Sequence, residues 1–243
     1  MREELNRLKY DFSRRIVLVT GGTGALGRAV TKAFIASGAT VISSYVVDRE
    51  VDELDAQIKS AVHLIKADIG KEEEVKKLIS SILDMHGQIH VLVNVVGGYI
   101  GGKSMGELDE KEWDLMMNMN LKSAFLISKH ILPQMISSKS GKIVHVSSRT
   151  GLKSNGYDSA YAASKSGLIR LVESLSEEVK ELNINVNCIM PSTIDTEANR
   201  KAMPSADQSK WVKPPDLANI VLFLCSEEGK AITGAAVPAY GLA

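Results

Sequence analysis

A glycine-rich turn between an apolar run and a helical stretch constrains the fold of this chain more than any other feature. Residues 16–19 read Ile-Val-Leu-Val, as expected for a buried parallel strand. The turn that follows carries Gly22, Gly24 and Gly27 in a G-x-G-x-x-G pattern. Residues 25–37 then have helical periodicity. Such glycines let the backbone approach a pyrophosphate, whose charge is received by amide groups at a helix N-terminus. Strand, glycines and helix in this order therefore predict a dinucleotide-binding unit.

Strand-like apolar runs alternate with helical stretches along the rest of the chain. Strands are predicted at 16–19, 40–47, 62–67, 90–96, 142–147, 184–190 and 235–239, and helices at 25–37, 49–59, 72–85, 109–138, 157–182 and 215–226. Strict alternation predicts a parallel sheet with helices on both faces. We therefore expect one α/β domain over residues 1–243, a Rossmann-type doubly wound sheet of about seven strands. Residues 1–12 are expected to be an N-terminal extension, and Pro133 is expected to kink the long fourth helix.

The composition argues against several classes of function. The 243 residues include 29 Lys plus Arg and 29 Asp plus Glu, so no net charge directs the chain to nucleic acid or to an anionic membrane. No apolar run reaches the roughly 18 residues of a membrane helix, and residues 1–12 are charged throughout, unlike a signal peptide. Cys188 and Cys225 lack metal-ligand spacing, so we expect buried free thiols and no metal site. The expectation is a soluble, cytoplasmic protein.

A tyrosine, a lysine and a serine have the arrangement of a proton donor and its activators. Tyr161 precedes Lys165 by one helical turn, which places both side chains on one helix face. A tyrosine titrates near pH ~10, so a neighbouring ammonium is needed to favour its phenolate at neutral pH. Ser148 follows a predicted strand, whose carboxyl end faces the ligand crevice in open α/β sheets. Tyr99 and Lys103 have the same spacing, but their glycine-rich surroundings predict a loop.

Together with the glycine-rich turn, these residues resemble the short-chain dehydrogenase/reductase family from about residue 16 to residue 241. The catalytic tetrad of that family is matched by Ser148, Tyr161, Lys165 and Asn120. The positions that match its cofactor contacts are Gly21, Gly22, Thr23, Gly24, Leu26, Gly27, Asp68, Ile69, Asn94, Gly97, Tyr161, Lys165, Pro191, Thr193 and Thr196. Val95 replaces the second asparagine of the family's Asn-Asn-Ala-Gly segment, and Ser192 replaces a glycine of its nicotinamide loop. Asp68 has an equally good alternative role as the N-cap of the next helix.

The resemblance implies hydride transfer between NAD(P) and a carbonyl or alcohol, for which the protein supplies orientation and electrostatics. Tyr161 would donate its proton to the forming alkoxide, and Ser148 would hydrogen-bond the same oxygen. Lys165 would lower the pKa of the tyrosine and hold the nicotinamide ribose. Asn120 would order a water that passes protons to solvent through the lysine; the alternative is an amide that only bonds backbone inside a helix.

The end of the second predicted strand bears on the choice between NADP(H) and NAD(H). NAD-dependent enzymes of this fold usually carry an acid there, which bonds the ribose hydroxyls and repels a 2′-phosphate. That position is Tyr45 in this chain, and Ser43, Ser44 and Arg49 are placed to bond a phosphate. The sequence therefore favours NADP(H), with Tyr45 and Arg49 among the cofactor contacts. Asp48 is a candidate substitute for the missing acid.

The sequence leaves the substrate open. Residues 97–102 and 192–204 resemble the corresponding stretches of dihydropteridine reductases, but those enzymes lack the serine at position 148 and carry an acid at Tyr45. A general carbonyl reductase, including the 3-oxoacyl thioester type, fits equally well, and analogy of fold does not choose between them. Two rival classes remain. A non-catalytic dinucleotide sensor would tolerate loss of the tyrosine or lysine, and an epimerase or lyase usually has an added substrate domain.

The segment after the sixth predicted strand and the two longest predicted helices suggest further features. Polar residues and Pro204 within 193–212 predict a lid over cofactor and substrate. The helices at 109–138 and 157–182 are expected to pair across a two-fold axis in a homo-oligomer, a dimer or a tetramer, as family members commonly do. The expected partners are a small carbonyl or alcohol substrate and further copies of the chain.

Overall fold

The computed structural model describes residues 10–242, whose seven parallel strands form one sheet. The strands are β1 (Ile16–Thr20), β2 (Thr40–Tyr45), β3 (Val62–Lys66), β4 (Val91–Asn94), β5 (Gly141–Val146), β6 (Ile184–Pro191) and β7 (Ala236–Ala239). Their order is β3-β2-β1-β4-β5-β6-β7, so the winding direction reverses between β1 and β4. Doubly wound sheets bind ligands at such a reversal, outside the carboxyl ends of the strands.

Helices connect the strands and cover both faces of the sheet. They are α1 (Ala25–Ala36), α2 (Asp48–Asp52), α3 (Ala56–Ala61), α4 (Glu72–His86), α5 (Glu110–Met116), α6 (Ser123–Ser138), α7 (Arg149–Leu152), α8 (Ser159–Val179), α9 (Glu197–Ala202) and α10 (Pro214–Cys225). A π-helical segment, Met117–Lys122, joins α5 to α6. The predicted doubly wound α/β fold is confirmed.

Alternation along each strand sends apolar side chains into two separate cores. Val17 and Val19 of β1 belong to a buried cluster that includes Phe34 of α1. Leu18 points to the opposite face and belongs to a second cluster that includes Ile127 of α6. Because helices bury both faces of the sheet, its strands read as continuous apolar runs in the sequence.

The structure differs from the predicted helices in three places. The predicted helix 49–59 is split into α2 and α3, because the Asp55 side chain accepts a backbone hydrogen bond and starts a new helix. The predicted helix 109–138 is interrupted by the π-helical segment, whereas Pro133 lies within α6. Helices α7 and α9 lie in segments where the sequence predicted none.

The N-terminal extension was predicted over residues 1–12, of which residues 1–9 lie outside the described part. Phe12 is buried, and its ring meets that of Phe34 edge-on with centroids 4.9 Å apart. Residue 12 therefore belongs to the core instead of the extension. Cys188 and Cys225 are buried free thiols, as predicted. Within residues 10–242, no helix is long and apolar enough to cross a membrane.

Candidate active site

A cleft of about 910 Å³ lies outside the carboxyl ends of the strands. The predicted site residues that line it are Gly21, Thr23, Gly24, Leu26, Gly27, Tyr45, Asp68, Ile69, Gly97, Ser148, Tyr161, Lys165, Pro191 and Thr193. Those that do not line it are Gly22, Arg49, Asn94, Asn120 and Thr196. The fold thus brings the glycine-rich turn and the Ser-Tyr-Lys group into one space. We call the part around Ser148, Tyr161 and Lys165 the tyrosine end.

Tyr161 and Ser148 meet at the tyrosine end. Ser148 follows β5 and caps α7, where its hydroxyl accepts a hydrogen bond from the Thr150 amide at 3.2 Å. Tyr161 lies in the first turn of α8, and its hydroxyl is hydrogen-bonded to the Ser148 side chain. Burial raises the pKa of Tyr161, and the Ser148 hydrogen bond opposes that shift. The phenol is therefore held in its protonated form beside a second hydroxyl.

Lys165 lies one helical turn beyond Tyr161, as the sequence predicted, and only 4% of it is exposed. Its Nζ donates to the Val146 carbonyl at 2.8 Å and lies 5.9 Å from the centroid of the Tyr161 ring. Burial lowers the pKa of Lys165 to about 8, because an ammonium loses its hydration in a protein interior. The lysine is thus a buried group anchored to β5. Ser147 also lines the cleft, but its hydroxyl donates to the Lys165 carbonyl at 2.9 Å.

Gly97 lies between Lys165 and Asn120. A Cβ at this position would be 3.0 Å from Lys165 Nζ and 2.9 Å from Asn120 Oδ1, closer than side chains normally approach. Any larger residue would displace the ammonium or the amide. The glycine expected from the family resemblance therefore has a steric reason in this chain.

Asn120 lies in the π-helical segment and is buried. Its Oδ1 accepts from the Gly98 amide at 2.9 Å, and its Nδ2 donates to the Gly98 carbonyl at 3.1 Å and to the Ser164 hydroxyl at 3.0 Å. π-helical segments are frequent at functional sites. These contacts fasten the loop after β4 to α8, next to Lys165.

A chain of buried polar side chains runs behind the tyrosine end. Thr20 donates to Asn94 Oδ1 at 2.5 Å, so the Asn94 amide nitrogen faces His145 Nδ1 at 3.1 Å. Because Nδ1 accepts from Asn94, the ring proton of His145 lies on Nε2, which donates to the Ser128 hydroxyl at 3.1 Å. Burial lowers the pKa of His145 to about 4 and keeps its ring neutral. The side chain of Asn94, a predicted cofactor contact, therefore bonds residues of the two neighbouring strands and does not line the cleft. The one sequence signal for this network is a histidine within an apolar strand.

Tyr99 is a cleft residue that the sequence predictions missed. Its ring meets the Tyr161 ring edge-on, with centroids 5.0 Å apart and an interplanar angle of 84°. Its hydroxyl donates to Asp158 Oδ1 at 2.8 Å, at the residue that precedes α8. Residues 97–102 form a loop, as predicted. Helical and strand periodicity in the sequence does not show that a loop side chain such as Tyr99 contacts the start of a distant helix.

The turn between β1 and α1 has the shape that a pyrophosphate needs. A Cβ on Gly27 would clash with the Gly21 carbonyl oxygen, so this glycine lets α1 pack against the turn. Gly22 packs on Ser43 of β2 instead of lining the cleft. No side chain of the described residues caps α1, which leaves the amides of its first turn for a phosphate. These residues fit a dinucleotide.

The opposite end of the cleft, which we call the β2 end, is lined by Tyr45, Glu50 and Asp68. The side chain of Arg49 is 81% exposed and pairs with Glu53 at 3.3 Å, so this predicted phosphate contact lies outside the cleft. The Asp68 carboxylate accepts from a backbone amide within its own turn. The N-cap of α4 is Lys71, so the alternative role of Asp68 is wrong.

The segment 193–212 lies along one side of the cleft. Its ends are fixed, because Ile194 and Val212 form a parallel β-bridge and Val212 is buried. Thr196 caps α9 by accepting from the Asn199 amide at 3.2 Å, which explains why its side chain does not face the cleft. Asn199 itself lines the cleft from α9.

Comparison with known proteins gives the family. A model of the short chain dehydrogenase family matches residues 15–207. The 3-oxoacyl-[acyl-carrier-protein] reductase of Thermotoga maritima is 32% identical, over 90% of this chain and 94% of that protein. The NAD-dependent glycerol dehydrogenase of Listeria innocua is 31% identical, over 93% and 92% respectively. The crystal structure of gox2181 has a TM-score of 0.88 and 26% identity over 96% of both chains. This chain therefore belongs to the short-chain dehydrogenase/reductase family of NAD(P)-dependent oxidoreductases.

Proposed function

We propose that this chain interconverts a carbonyl and an alcohol with NAD(P)(H), using Tyr161 as the proton donor. The observation that carries this proposal is the hydrogen bond between Tyr161 and Ser148 inside a cleft that also holds Lys165 and the glycine-rich turn. Two adjacent hydroxyl groups are able to bond one substrate oxygen. The glycine-rich turn supplies the place for the dinucleotide phosphates along the same cleft.

The glycine-rich turn would hold the dinucleotide, which would serve as hydride donor for carbonyl reduction or as hydride acceptor for alcohol oxidation. Ser148 donates a hydrogen bond to the substrate oxygen, where negative charge develops. Tyr161 is protonated because burial raises its pKa, so it donates its proton to that oxygen as the alkoxide forms. In the oxidative direction the same phenolic oxygen receives the proton.

Lys165 supports this proton transfer from one helical turn away. Its charge, 5.9 Å from the ring centroid, favours the phenolate that remains once Tyr161 has given up its proton. Its bond to the Val146 carbonyl fixes the direction of the side chain. An ammonium has three donors, and we assign the other two to the nicotinamide ribose.

We assign Asn120 a positioning role. Its amide holds Gly98 and Ser164, which sets the distance between the loop after β4 and α8. The second lone pair of Oδ1 is left for the water that the family resemblance implies. Through that water, protons would reach Lys165 from solvent.

The remaining cofactor contacts that we propose belong to the glycine-rich turn and to the ends of the strands. They are Gly21, Thr23, Gly24, Leu26, Gly27, Tyr45, Asp68, Ile69, Gly97, Pro191 and Thr193. Gly22, Asn94 and Thr196 support these positions from outside the cleft. Of the two residues behind the sequence-based preference for NADP(H), Tyr45 lines the cleft and Arg49 does not.

For the substrate we propose a ketone with an apolar arm, such as a 3-oxoacyl thioester. Cleft-lining side chains outside the Ser-Tyr-Lys group include Tyr99, Met119, Ile194 and Met203. Ser148, which dihydropteridine reductases lack, completes a hydroxyl pair that suits a ketone oxygen. The similarity to a 3-oxoacyl-[acyl-carrier-protein] reductase supports the thioester class.

Two further proposals concern a lid over the cleft and the oligomeric state. We propose that residues 197–210 close over the substrate as a lid, since the β-bridge between Ile194 and Val212 fixes both ends of this stretch. We also propose a homo-oligomer, a dimer or a tetramer, that pairs through α5 and α6. These helices carry the exposed apolar side chains Leu115, Phe125 and Ile136.

The test is reduction of an acetoacetyl thioester by the purified protein with reduced dinucleotide. We expect the hydroxyacyl product in an amount equal to the dinucleotide oxidised, measured by mass spectrometry and by absorbance. The control is the double variant Ser148→Ala, Tyr161→Phe, which should bind the dinucleotide and form no product. Equal turnover by the double variant would show that these residues do not carry the reaction.

A further inference from the structure

An acid that the sequence predictions did not consider enters the cleft at its β2 end. Glu50 lies in α2, a helix of five residues that follows β2. Its side chain is half-buried and lines the cleft. The Thr23 hydroxyl donates to Glu50 Oε2, so this bond ties the glycine-rich turn to α2. Thr23 itself is buried, which fixes the donor side of the bond.

The second oxygen of this carboxylate is open to a ligand. Within residues 10–242, Glu50 Oε1 has no hydrogen-bond partner, and Glu50 forms no ion pair. A carboxylate oxygen only accepts hydrogen bonds. Glu50 therefore presents an acceptor and a negative charge to whatever occupies the β2 end.

The lysine and arginine side chains around the β2 end form ion pairs with acids other than Glu50. Arg28 and Arg49 both pair with Glu53 at 3.3 Å. Lys66 pairs with Asp48, the residue that the sequence suggested as a substitute acid. None of these three cations lines the cleft. The described residues that line the β2 end therefore include the carboxylates of Glu50 and Asp68 but no lysine or arginine. Arg28 Nε donates to the Thr23 carbonyl, and Lys71 pairs with Asp68 at 3.4 Å, both from outside the cleft lining.

In this fold the ribose of the adenosine half lies at the end of the second strand, where an acid bonds its 2′-hydroxyl. That strand ends at Tyr45, which has no carboxylate, and Glu50 reaches the same region from the next helix. We propose that Glu50 selects NAD(H): it accepts from the ribose 2′-hydroxyl and repels a 2′-phosphate. This inference rests on the dinucleotide site of the proposed function and reverses the sequence-based preference for NADP(H).

The size of the expected preference for NADH follows from the repulsion between the Glu50 carboxylate and a 2′-phosphate. A carboxylate and a phosphate within about 5 Å repel each other strongly in a half-buried site, and rejection of a wrong ligand commonly uses such a repulsive contact. Thr23 does not offset this, because its hydroxyl already donates to Glu50. We expect NADH to bind at least about tenfold more tightly than NADPH.

The experiment is a fluorescence titration of NADH and NADPH into the wild type, Glu50→Gln and Asp52→Asn. Glu50→Gln removes the charge and keeps the size, so it should narrow the NADH preference about tenfold, mainly by tighter NADPH binding. Asp52→Asn is the matched control, because Asp52 lies on the same helix with 81% of its side chain exposed. It should keep the wild-type ratio.

A wild type that binds NADPH as tightly as NADH overturns the inference without any variant. An unchanged ratio in Glu50→Gln overturns it as well. Competition by AMP and by adenosine 2′,5′-bisphosphate repeats the comparison without a nicotinamide: AMP should compete better in the wild type, and this advantage should shrink in Glu50→Gln. If neither dinucleotide binds, it is the proposed function that fails. If both bind and only the Glu50 effect is missing, the proposed function stands and this inference fails.

Discussion

The two ends of the cleft are built in different ways. At the tyrosine end, Tyr161 and Lys165 lie on a helix of 21 residues, and Lys165 is buried against β5. At the β2 end, Glu50 lies on a helix of five residues, among ion pairs that are largely exposed. Dense packing holds the first arrangement, whereas exposed charges contribute little to stability and are replaced at little cost. Under our proposals, the core of the protein sets the chemistry, and a short helix at the edge of the cleft sets the choice of cofactor.

Ser148→Ala should have a large effect at the tyrosine end, second only to loss of the Tyr161 hydroxyl, and none at the β2 end. Loss of one donor to a developing oxyanion lowers kcat by roughly 10²–10³. The Kd for reduced dinucleotide should stay at its wild-type value, because Ser148 bonds the substrate oxygen. Steady-state kinetics and fluorescence titration measure the two quantities. Ser154→Ala, at an exposed serine nearby, is the control. If Ser148→Ala weakened the binding of reduced dinucleotide by the same factor by which it lowered kcat, the separation of chemistry from cofactor binding would be contradicted.

The buried chain behind the tyrosine end should make stability depend on pH. Burial lowers the pKa of His145 from 6.5 to about 4. Below pH 6.5 the unfolded chain takes up a proton that the folded chain refuses until about pH 4. The stabilisation is therefore complete above pH 6.5, is lost as pH falls through that window, and amounts to about 3 kcal/mol.

Urea unfolding of the wild type and of His145→Asn, at neutral and at mildly acidic pH, measures this contribution of His145 to the free energy of unfolding. The asparagine variant should lose part of the pH dependence. His63→Asn, at an exposed histidine, is the control. The same pH dependence in His145→Asn and in the wild type would show that the buried ring does not carry this effect.

Lys165 should set the alkaline limit of carbonyl reduction. Because burial lowers its pKa to about 8, the ammonium that supports Tyr161 is lost above that pH. The value of kcat/KM should be level below pH 8 and fall about tenfold for each pH unit above it. A profile that stays level to about pH 10 would contradict the role of the lysine charge.

Arg49→Ala should have the smallest effect. Its guanidinium is exposed and pairs with Glu53 outside the cleft, so the ratio of NADPH to NADH affinity should change less than about twofold. Titration of both dinucleotides checks this. A large loss of NADPH affinity would restore the contact that the sequence suggested and would place the phosphate near Arg49.

Patterns that repeat locally made much of the fold and the tyrosine end predictable. The pairing of Tyr161 with Lys165 depends only on helical spacing, and the place of Ser148 depends only on the end of an apolar strand. Gly27 was predictable for a similar reason, since the turn between strand and helix needs it. Each of these positions is fixed by neighbours a few residues away in the chain.

The residues that the sequence did not reveal meet their partners through tertiary contacts. Glu50 meets Thr23 across 27 residues of sequence. Tyr99 meets Asp158 across 59 residues of sequence, and His145 meets Asn94 across 51. Helical and strand periodicity carry no information about such pairs. The π-helical segment around Asn120 was not predicted either, because an ordinary helix has the same apolar pattern.

The proton donor is the central claim, and Tyr161→Phe tests it most directly. Both kcat with an acetoacetyl thioester and the Kd for reduced dinucleotide are to be measured on one preparation of the variant. Removal of the phenolic hydroxyl should abolish turnover and leave the dinucleotide Kd nearly unchanged, because the hydroxyl acts on the developing alkoxide. Undiminished turnover in Tyr161→Phe would contradict the assignment of Tyr161 as the proton donor.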